Sequence, residues 1–200
     1  TPQLSFSVSF YNAIAGVVVT ASHNPKEYNG YKVYDEYGCQ LVPEQAQKVI
    51  SFVNSIEDYR MINFNGDVTL INRIDTTDSF VEAVKKQSRY KNDKAKAKAN
   101  LHIIYTPLHG TGIVPVRKVL IEEGFTNFEE VAAQVDSDGD FPTVVSPNPE
   151  ERGALEMGIK QAEGSKADIV LGTDPDSDRV GVAVKTDEGY QLMTGNQIGA

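Results

Sequence analysis

Cysteine is nearly absent. Cys39 is the single thiol in 200 residues, which excludes an internal disulfide framework and any zinc site built from several thiolates. No Cys-His signature surrounds it, so a thiol nucleophile is not indicated. Positive charge is scarce as well: 19 Lys and Arg stand against 28 Asp and Glu, a formal net charge of −9. Such a field repels nucleic-acid phosphates and anionic membranes. No stretch reaches the roughly 20 apolar residues that a membrane span requires. The opening Thr1-Pro2-Gln3-Leu4-Ser5 has neither a starting Met nor a basic run ahead of an apolar segment, so no signal peptide is expected. Internal repeats are missing too. Together these absences point to a cytoplasmic protein that engages neither nucleic acid nor membrane, and whose chain is expected to begin inside a longer one.

The rest is the composition of a globular protein, 40% hydrophobic and 24% charged, with enough Val, Ile, Leu and Phe for a real core. Strand signals alternate with helix signals, which predicts an α/β protein: two layered domains with mixed, largely parallel sheets. Val17-Val18-Val19-Thr20 reads as a buried strand running into a turn-forming cluster, Ser22-His23-Asn24-Pro25. A short strand at Tyr31 to Tyr34 follows. Pro43 then opens a helix whose Ala46, Val49, Ile50 and Val53 share one face, expected to lie on the sheet. Residues 63 to 74 are turn-rich, Thr77 is a candidate N-cap, and a domain boundary is expected near Thr76. The Lys-rich segment from Lys91 to Asn100 lacks interleaved aromatics and is expected to be a solvated loop.

A second series follows: a strand at Leu101 to Tyr105, a helix at Ile113 to Glu123 stopped by Gly124, a strand near Phe128 to Ala133, and a helix at Glu151 to Ala162. The buried strand Asp168 to Leu171 leads to an acidic loop, and Val180 to Val184 with Tyr190 to Met193 form a hairpin around Asp187-Glu188-Gly189.

Three loops could carry chemistry. In Asp174-Pro175-Asp176-Ser177-Asp178-Arg179, carboxylates at alternate positions beyond a strand can converge on one hard cation, for which magnesium is the natural choice. A solvated acidic turn is the plain alternative. A calcium loop of EF-hand type is excluded, because Arg179 and Lys185 occupy the positions that need Gly and Glu. Ser22-His23-Asn24 sets a hydroxyl beside an imidazole and an amide, but there is no Gly-x-Ser-x-Gly elbow, and a turn or N-cap explains the cluster equally well. Thr106-Pro107-Leu108-His109-Gly110-Thr111-Gly112 suggests a dinucleotide fingerprint but has Pro115 where the third glycine belongs, so NAD is not expected. His109 is either part of a tight turn or faces the site.

Thr20 to Pro25, Tyr28-Asn29-Gly30-Tyr31-Lys32 and Asp174 to Arg179 together resemble the α-D-phosphohexomutases, the family of phosphoglucomutases and phosphomannomutases. Asp138-Gly139-Asp140-Phe141-Pro142-Thr143, Pro147 to Glu150 and Leu192 to Gly195 resemble that family's second-domain and exit segments. The resemblance implies that Ser22 carries a phosphoryl group, flanked by His23 and Asn24 as phosphate-positioning residues. Lys32 is implied in proton transfer or charge stabilisation, and Arg179 in phosphate contact. Asp174, Asp176 and Asp178 are implied to hold Mg2+ together with a phosphoserine oxygen. The implied activity moves phosphate between carbons 1 and 6 of a hexose phosphate through a bisphosphate, with a sugar phosphate and a sugar bisphosphate as ligands. A phosphopentomutase, a metal-dependent phosphatase and a non-catalytic metal-binding module are the alternatives. By the same resemblance, residues 1–76 are the later part of a first domain, 77–193 a second domain, and 194–200 the start of a linker. Third and fourth domains of the chain's own longer form are then its partners, without which these residues are expected to be inactive.

Overall fold

The structure is a computed structural model and describes residues 1–89 and 95–200. Its larger sheet contains β3 (Ile103–Thr106), β4 (Phe128–Glu130), β5 (Ile169–Thr173), β6 (Val180–Thr186) and β7 (Gly189–Leu192), in the order β4-β3-β5-β6-β7. β3 pairs parallel with β4 and β5, whereas β5–β6 and β6–β7 are antiparallel. The sheet is therefore mixed, in keeping with the α/β class expected. The parallel pairs require long crossovers, and α5 (Ile113–Glu122) and α6 (Arg152–Ser165) supply them.

α6 lies across β3 and β5 and seals one face. Its inward Leu155, Ile159 and Ala162 join Ile104, Val131, Val170, Ala183 and Tyr190 in one buried cluster. Each large aliphatic side chain there contributes about 1.5–3 kcal/mol by leaving water. Gly158 permits the close approach, since a Cβ on it would come within 2.9 Å of Val170 Cγ1. The helix ends at Lys166 in the left-handed conformation, φ 61°. There the Tyr190 hydroxyl is in hydrogen-bond reach of the carbonyls of Ala162 and Ala167 and ties the helix end to β7.

The N-terminal part is built differently. β1 (Gly16–Thr20) and β2 (Gly30–Tyr34) form a two-stranded antiparallel pair, in register from Gly16 with Tyr34 to Thr20 with Gly30. α1 (Pro2–Phe10) covers one face, with Val8 lodged where a Cβ on Gly16 would be. The other face is open: Val17 is 56% and Val19 70% exposed. The strand expected to be buried is thus covered on one side only, because two strands and one helix offer too little surface to enclose it. α2 (Pro43–Asn54) likewise has no buried residue. Its apolar face is left half-covered rather than docked on the sheet. Residues 59–61 and 68–70 form single 3₁₀ turns, each started by an aspartate side chain (Asp58, Asp67) accepting a backbone N–H.

α3 (Thr77–Lys85) joins the two parts, packing on α5 and on α1. Thr76 rather than Thr77 is its N-cap, and the fully buried residue is Val81. Of the segment expected to be a solvated loop, residues 90–94 lie outside the described residues, and Ala95–Asn100 forms a short helix, α4. Alanine and lysine are strong helix formers, and Lys98 is anchored by pairing with Glu123 and lying over the Phe125 ring. Past β7, Thr194 and Gln197 make a capping box that starts α7 (Gly195–Gly199). Among the described residues, no helix is long and apolar enough to cross a membrane.

Candidate active site

The acidic loop begins at the C-terminal end of β5 and turns straight back into β6. Asp174 and Asp176 are buried and Asp178 is exposed. One oxygen from each carboxylate lies within 4.8 Å of the others. The turn depends on Ser177, which adopts φ 58°, a left-handed conformation uncommon for a residue with a Cβ. The Arg179 N–H donates to Asp174 Oδ1 at 2.9 Å and fixes the first carboxylate.

The second loop leaves β1. The Ser22 N–H donates to Thr20 Oγ1 at 2.8 Å, and Ser22 also takes a positive φ, 56°. This turn sends the hydroxyl across to the acidic loop. Ser22 Oγ lies 3.5 Å from Asp174 Oδ2 and 3.4 Å from Asp176 Oδ1, carboxylates 152 and 154 residues further along the chain. These are long contacts for a hydroxyl donor. The spacing fits oxygens disposed around a common centre better than oxygens bonded to one another. Lys32, on β2, donates to Asp176 Oδ2 and Asp178 Oδ2, both at 2.8 Å. Thr1 Oγ1 donates to Asp176 Oδ2 at 2.6 Å.

These surroundings split the carboxylates. Burial, with the charges of Asp176 and Asp178, pushes Asp174 well above the ordinary carboxylate range despite the Arg179 N–H. Burial acts on Asp176 too, but hydrogen bonds from Lys32 and Thr1 hold it below that range. Two neighbouring carboxylates of which one resists ionisation form a site short of positive charge. The donors are all hard oxygens, the set that magnesium and calcium prefer. The residues present therefore fit a divalent cation.

Of the other residues expected in the site, His23 Nδ1 is 3.4 Å from Ser22 Oγ, too long to mark a nucleophile–base pair. Asn24, two residues beyond the serine, is exposed. The Arg179 guanidinium sits 3.6 Å from Glu150. His109 is part of the turn. Its Nδ1 bonds the Asp136 carbonyl at 3.0 Å and its Nε2 bonds Thr143 Oγ1 at 2.9 Å. A cleft of about 300 Å3 opens between the loops, lined by Val19, Thr20, His109, Thr111, Asp138 and Asp176. Lys26, beyond Ser22, pairs with Asp140.

Sequence reasoning missed what lies behind the acidic loop. Gly110 and Gly112 are the ground on which the loop rests. A Cβ on Gly110 would come within 2.4 Å of Pro175 Cα, and one on Gly112 within 2.5 Å of Ser177 Oγ. The two glycines of the imperfect dinucleotide pattern were the available signal. They serve a close backbone approach, here to another loop of the same chain.

An α/β sheet whose strand end presents an acidic triad to a serine has the form of a metal-assisted enzyme. More narrowly, the chain belongs to the phosphoglucomutase/phosphomannomutase family: the family's alpha/beta/alpha domain II matches residues 78–189, and its domain I matches residues 1–60. A phosphoglucomutase of Staphylococcus epidermidis is 38% identical over the whole chain, and one of Staphylococcus aureus 35%. The chain spans 37% and 36% of their lengths. Among solved structures, a Thermus thermophilus protein assigned as a phosphomannomutase superposes with a TM-score of 0.75 at 25% identity, over 92% of this chain and 39% of its own. The Paramecium phosphoglucomutase parafusin shares the fold, with a TM-score of 0.68 at 17% identity over 95% of this chain and 39% of its own.

Proposed function

We propose that this chain supplies the phosphoryl-transfer site of a hexose-phosphate mutase, an isomerase that moves phosphate between carbons 1 and 6 through phospho-Ser22 and a sugar bisphosphate. One observation carries the proposal: in a chain of this family, Ser22 Oγ stands within 3.5 Å of both Asp174 and Asp176. The hexose reading is supported by the 38% identity to an enzyme named phosphoglucomutase.

Asp174, Asp176 and Asp178, with an oxygen on Ser22, would hold Mg2+. Bound there, the cation would neutralise charge on the phosphoryl oxygens. Phosphoryl transfer demands positioning and charge neutralisation more than covalent chemistry from the protein. Ser22 presents its oxygen to the acidic loop from a turn of positive φ, where a phosphoryl group would lie beside the cation. As the sugar hydroxyl bonds phosphorus it gives its proton to solvent, the bond to Ser22 Oγ breaks, and that oxygen takes a proton from solvent, so the proton count is unchanged. Lys32 acts as a fixed positive charge. An ammonium group bonded to two carboxylates is a stabiliser of developing negative charge, not a proton acceptor. His23 and Asn24 flank the phosphate. Arg179 reaches it by exchanging its exposed pairing with Glu150 for a bidentate one.

Residues 1–76 and 77–193 form the two units that bring these loops together, and 194–200 begins the link onward. The whole enzyme acts in the cytoplasm on sugar phosphates, with third and fourth domains of the longer chain completing the sugar site. The test is conversion of glucose 1-phosphate to glucose 6-phosphate by the full-length chain. Ser22→Ala and Asp176→Ala should each reduce turnover by about a thousandfold or more. Incubation with glucose 1,6-bisphosphate should leave phosphate on Ser22, detectable by mass spectrometry. Undiminished turnover in both variants would refute the mutase reading, whereas phosphate appearing only in water would identify a phosphatase.

A further inference from the structure

Pro175 lies between the first two aspartates and has no N–H, so its loop cannot be held through that nitrogen. Its carbonyl is held instead. The Thr111 N–H donates to Pro175 O at 2.8 Å, and Thr111 Oγ1 donates to the same oxygen at 3.0 Å. Gly110 lies directly beneath. We infer that Thr111 is a positioning residue for the cation site, a two-donor clamp that sets the spacing of Asp174 and Asp176. The inference rests on the metal reading given above.

The clamp is rigid because the turn that carries it is locked from behind. Leu108 and His109 both have positive φ, 48° and 60°, and such a pair persists only where its surroundings over-determine it. A directed chain of buried hydrogen bonds does so. Thr106 Oγ1 accepts from the Leu108 N–H at 3.1 Å and donates to Gln134 Oε1 at 2.7 Å. Gln134 Nε2 donates to Thr143 Oγ1 at 2.9 Å. Thr143 Oγ1 also pairs with His109 Nε2 at 2.9 Å, while Nδ1–H is directed at the Asp136 carbonyl at 3.0 Å. A carbonyl only accepts, so Nδ1 is the donor there, and both ring nitrogens are held. His109 thereby holds the turn, and Thr111, two residues on, holds the acidic loop. Lys32 ties Asp176 to Asp178, and the spacing of Asp174 from Asp176 across Pro175 is the part left to the clamp. Groups that orient ligands in this way are typically worth about 10–100-fold in metal affinity.

Thr111 is exposed, so Thr111→Val removes one donor with little demand on the core. In the full-length chain, Mn2+ titration followed by electron paramagnetic resonance should show about tenfold weaker binding for Thr111→Val. Thr111→Ser, which keeps the hydroxyl, should restore binding. The melting temperature of the metal-free protein should hardly change, which separates positioning from general destabilisation. Wild-type affinity in Thr111→Val would overturn the clamp, as would a loss not rescued by Thr111→Ser. Asp176→Asn tells the two readings apart. If it abolishes binding while Thr111→Val keeps wild-type affinity, the clamp alone is wrong. If it leaves binding intact, the metal reading is wrong and the clamp falls with it.

Discussion

The two halves of the chain contribute to the site in opposite ways. The part built on the five-stranded sheet has a sealed core, with Leu155 fully buried and Ile159 2% exposed, and its acidic loop is braced by backbone and side-chain hydrogen bonds. The N-terminal part is a two-stranded ribbon with open apolar faces, and its contribution is a hydroxyl and an ammonium group delivered across the cleft. Rigidity therefore resides where like charges must be held together. The half that supplies Ser22 relies on contacts with its neighbour for its position. Gln3 and Ser7 of α1 bond Thr76, Phe6 packs on Phe80 at 5.6 Å, and Lys26 pairs with Asp140.

The largest test of that contrast is stability. Leu155→Ala should cost about 2–5 kcal/mol, because a fully buried leucine leaves a cavity that its neighbours cannot fill. Val19→Ala, on the open face of β1, should change stability by less than about 0.5 kcal/mol. Urea denaturation of the two variants reads both numbers. A larger loss for Val19→Ala than for Leu155→Ala would reverse the comparison.

A somewhat smaller effect should appear at alkaline pH, again in the second half. Tyr105 is fully buried in β3, and burial pushes its hydroxyl up to about 12 from an ordinary value of 10.0, even though its bond to Thr173 Oγ1 at 2.9 Å acts in the other direction. The unfolded chain ionises first, so between pH 10 and 12 it binds fewer protons than the folded one, and stability falls as pH rises. A shift of that size is worth up to about 2.7 kcal/mol. Below pH 10 the contribution is fully present. Tyr105→Phe should flatten the loss between pH 10 and 12, measured as melting temperature against pH. An unchanged slope would place the alkaline transition elsewhere.

The strand ends of the site are legible in the sequence because local chemistry writes them: β-branched runs of Val and Ile stop at clusters of Ser, Asn, Pro and Asp. The acidic triplet is legible for the same reason, since alternation within a turn is a local property. Other features depend on partners distant in the chain. Leu4, Phe6, Val8 and Phe10 alternate as in a strand, yet they form α1, because Pro2 starts a helix and Phe10, Phe80 and Gly16 supply its packing. Tertiary packing there overrides the local period. The contact of Thr111 with Pro175 spans 64 residues, and nothing in either segment announces the other. His109 is ambiguous in the sequence for a like reason, its role being set by Asp136 and Thr143 rather than by its neighbours along the chain.

The smallest effect concerns a lysine that the N-terminal part places among the carboxylates of the other. Lys32 Nζ is 2.8 Å from both Asp176 and Asp178, and its side chain is 20% exposed. While the ammonium is there, a divalent ion enters a site whose negative charge is partly neutralised. Lys32→Gln removes that competitor and should tighten Mg2+ binding about two- to fivefold, the range set by partly solvated ion pairs. The gain should shrink as salt is added, because screening weakens the interaction it replaces. Calorimetric titration of the full-length chain at two ionic strengths measures both. Turnover should fall even as the metal binds more tightly, since the positive charge beside the phosphoryl group is lost. Weaker metal binding in Lys32→Gln would mean instead that the lysine aligns the carboxylates, making the N-terminal half as much a part of the cation site as the loop that carries it.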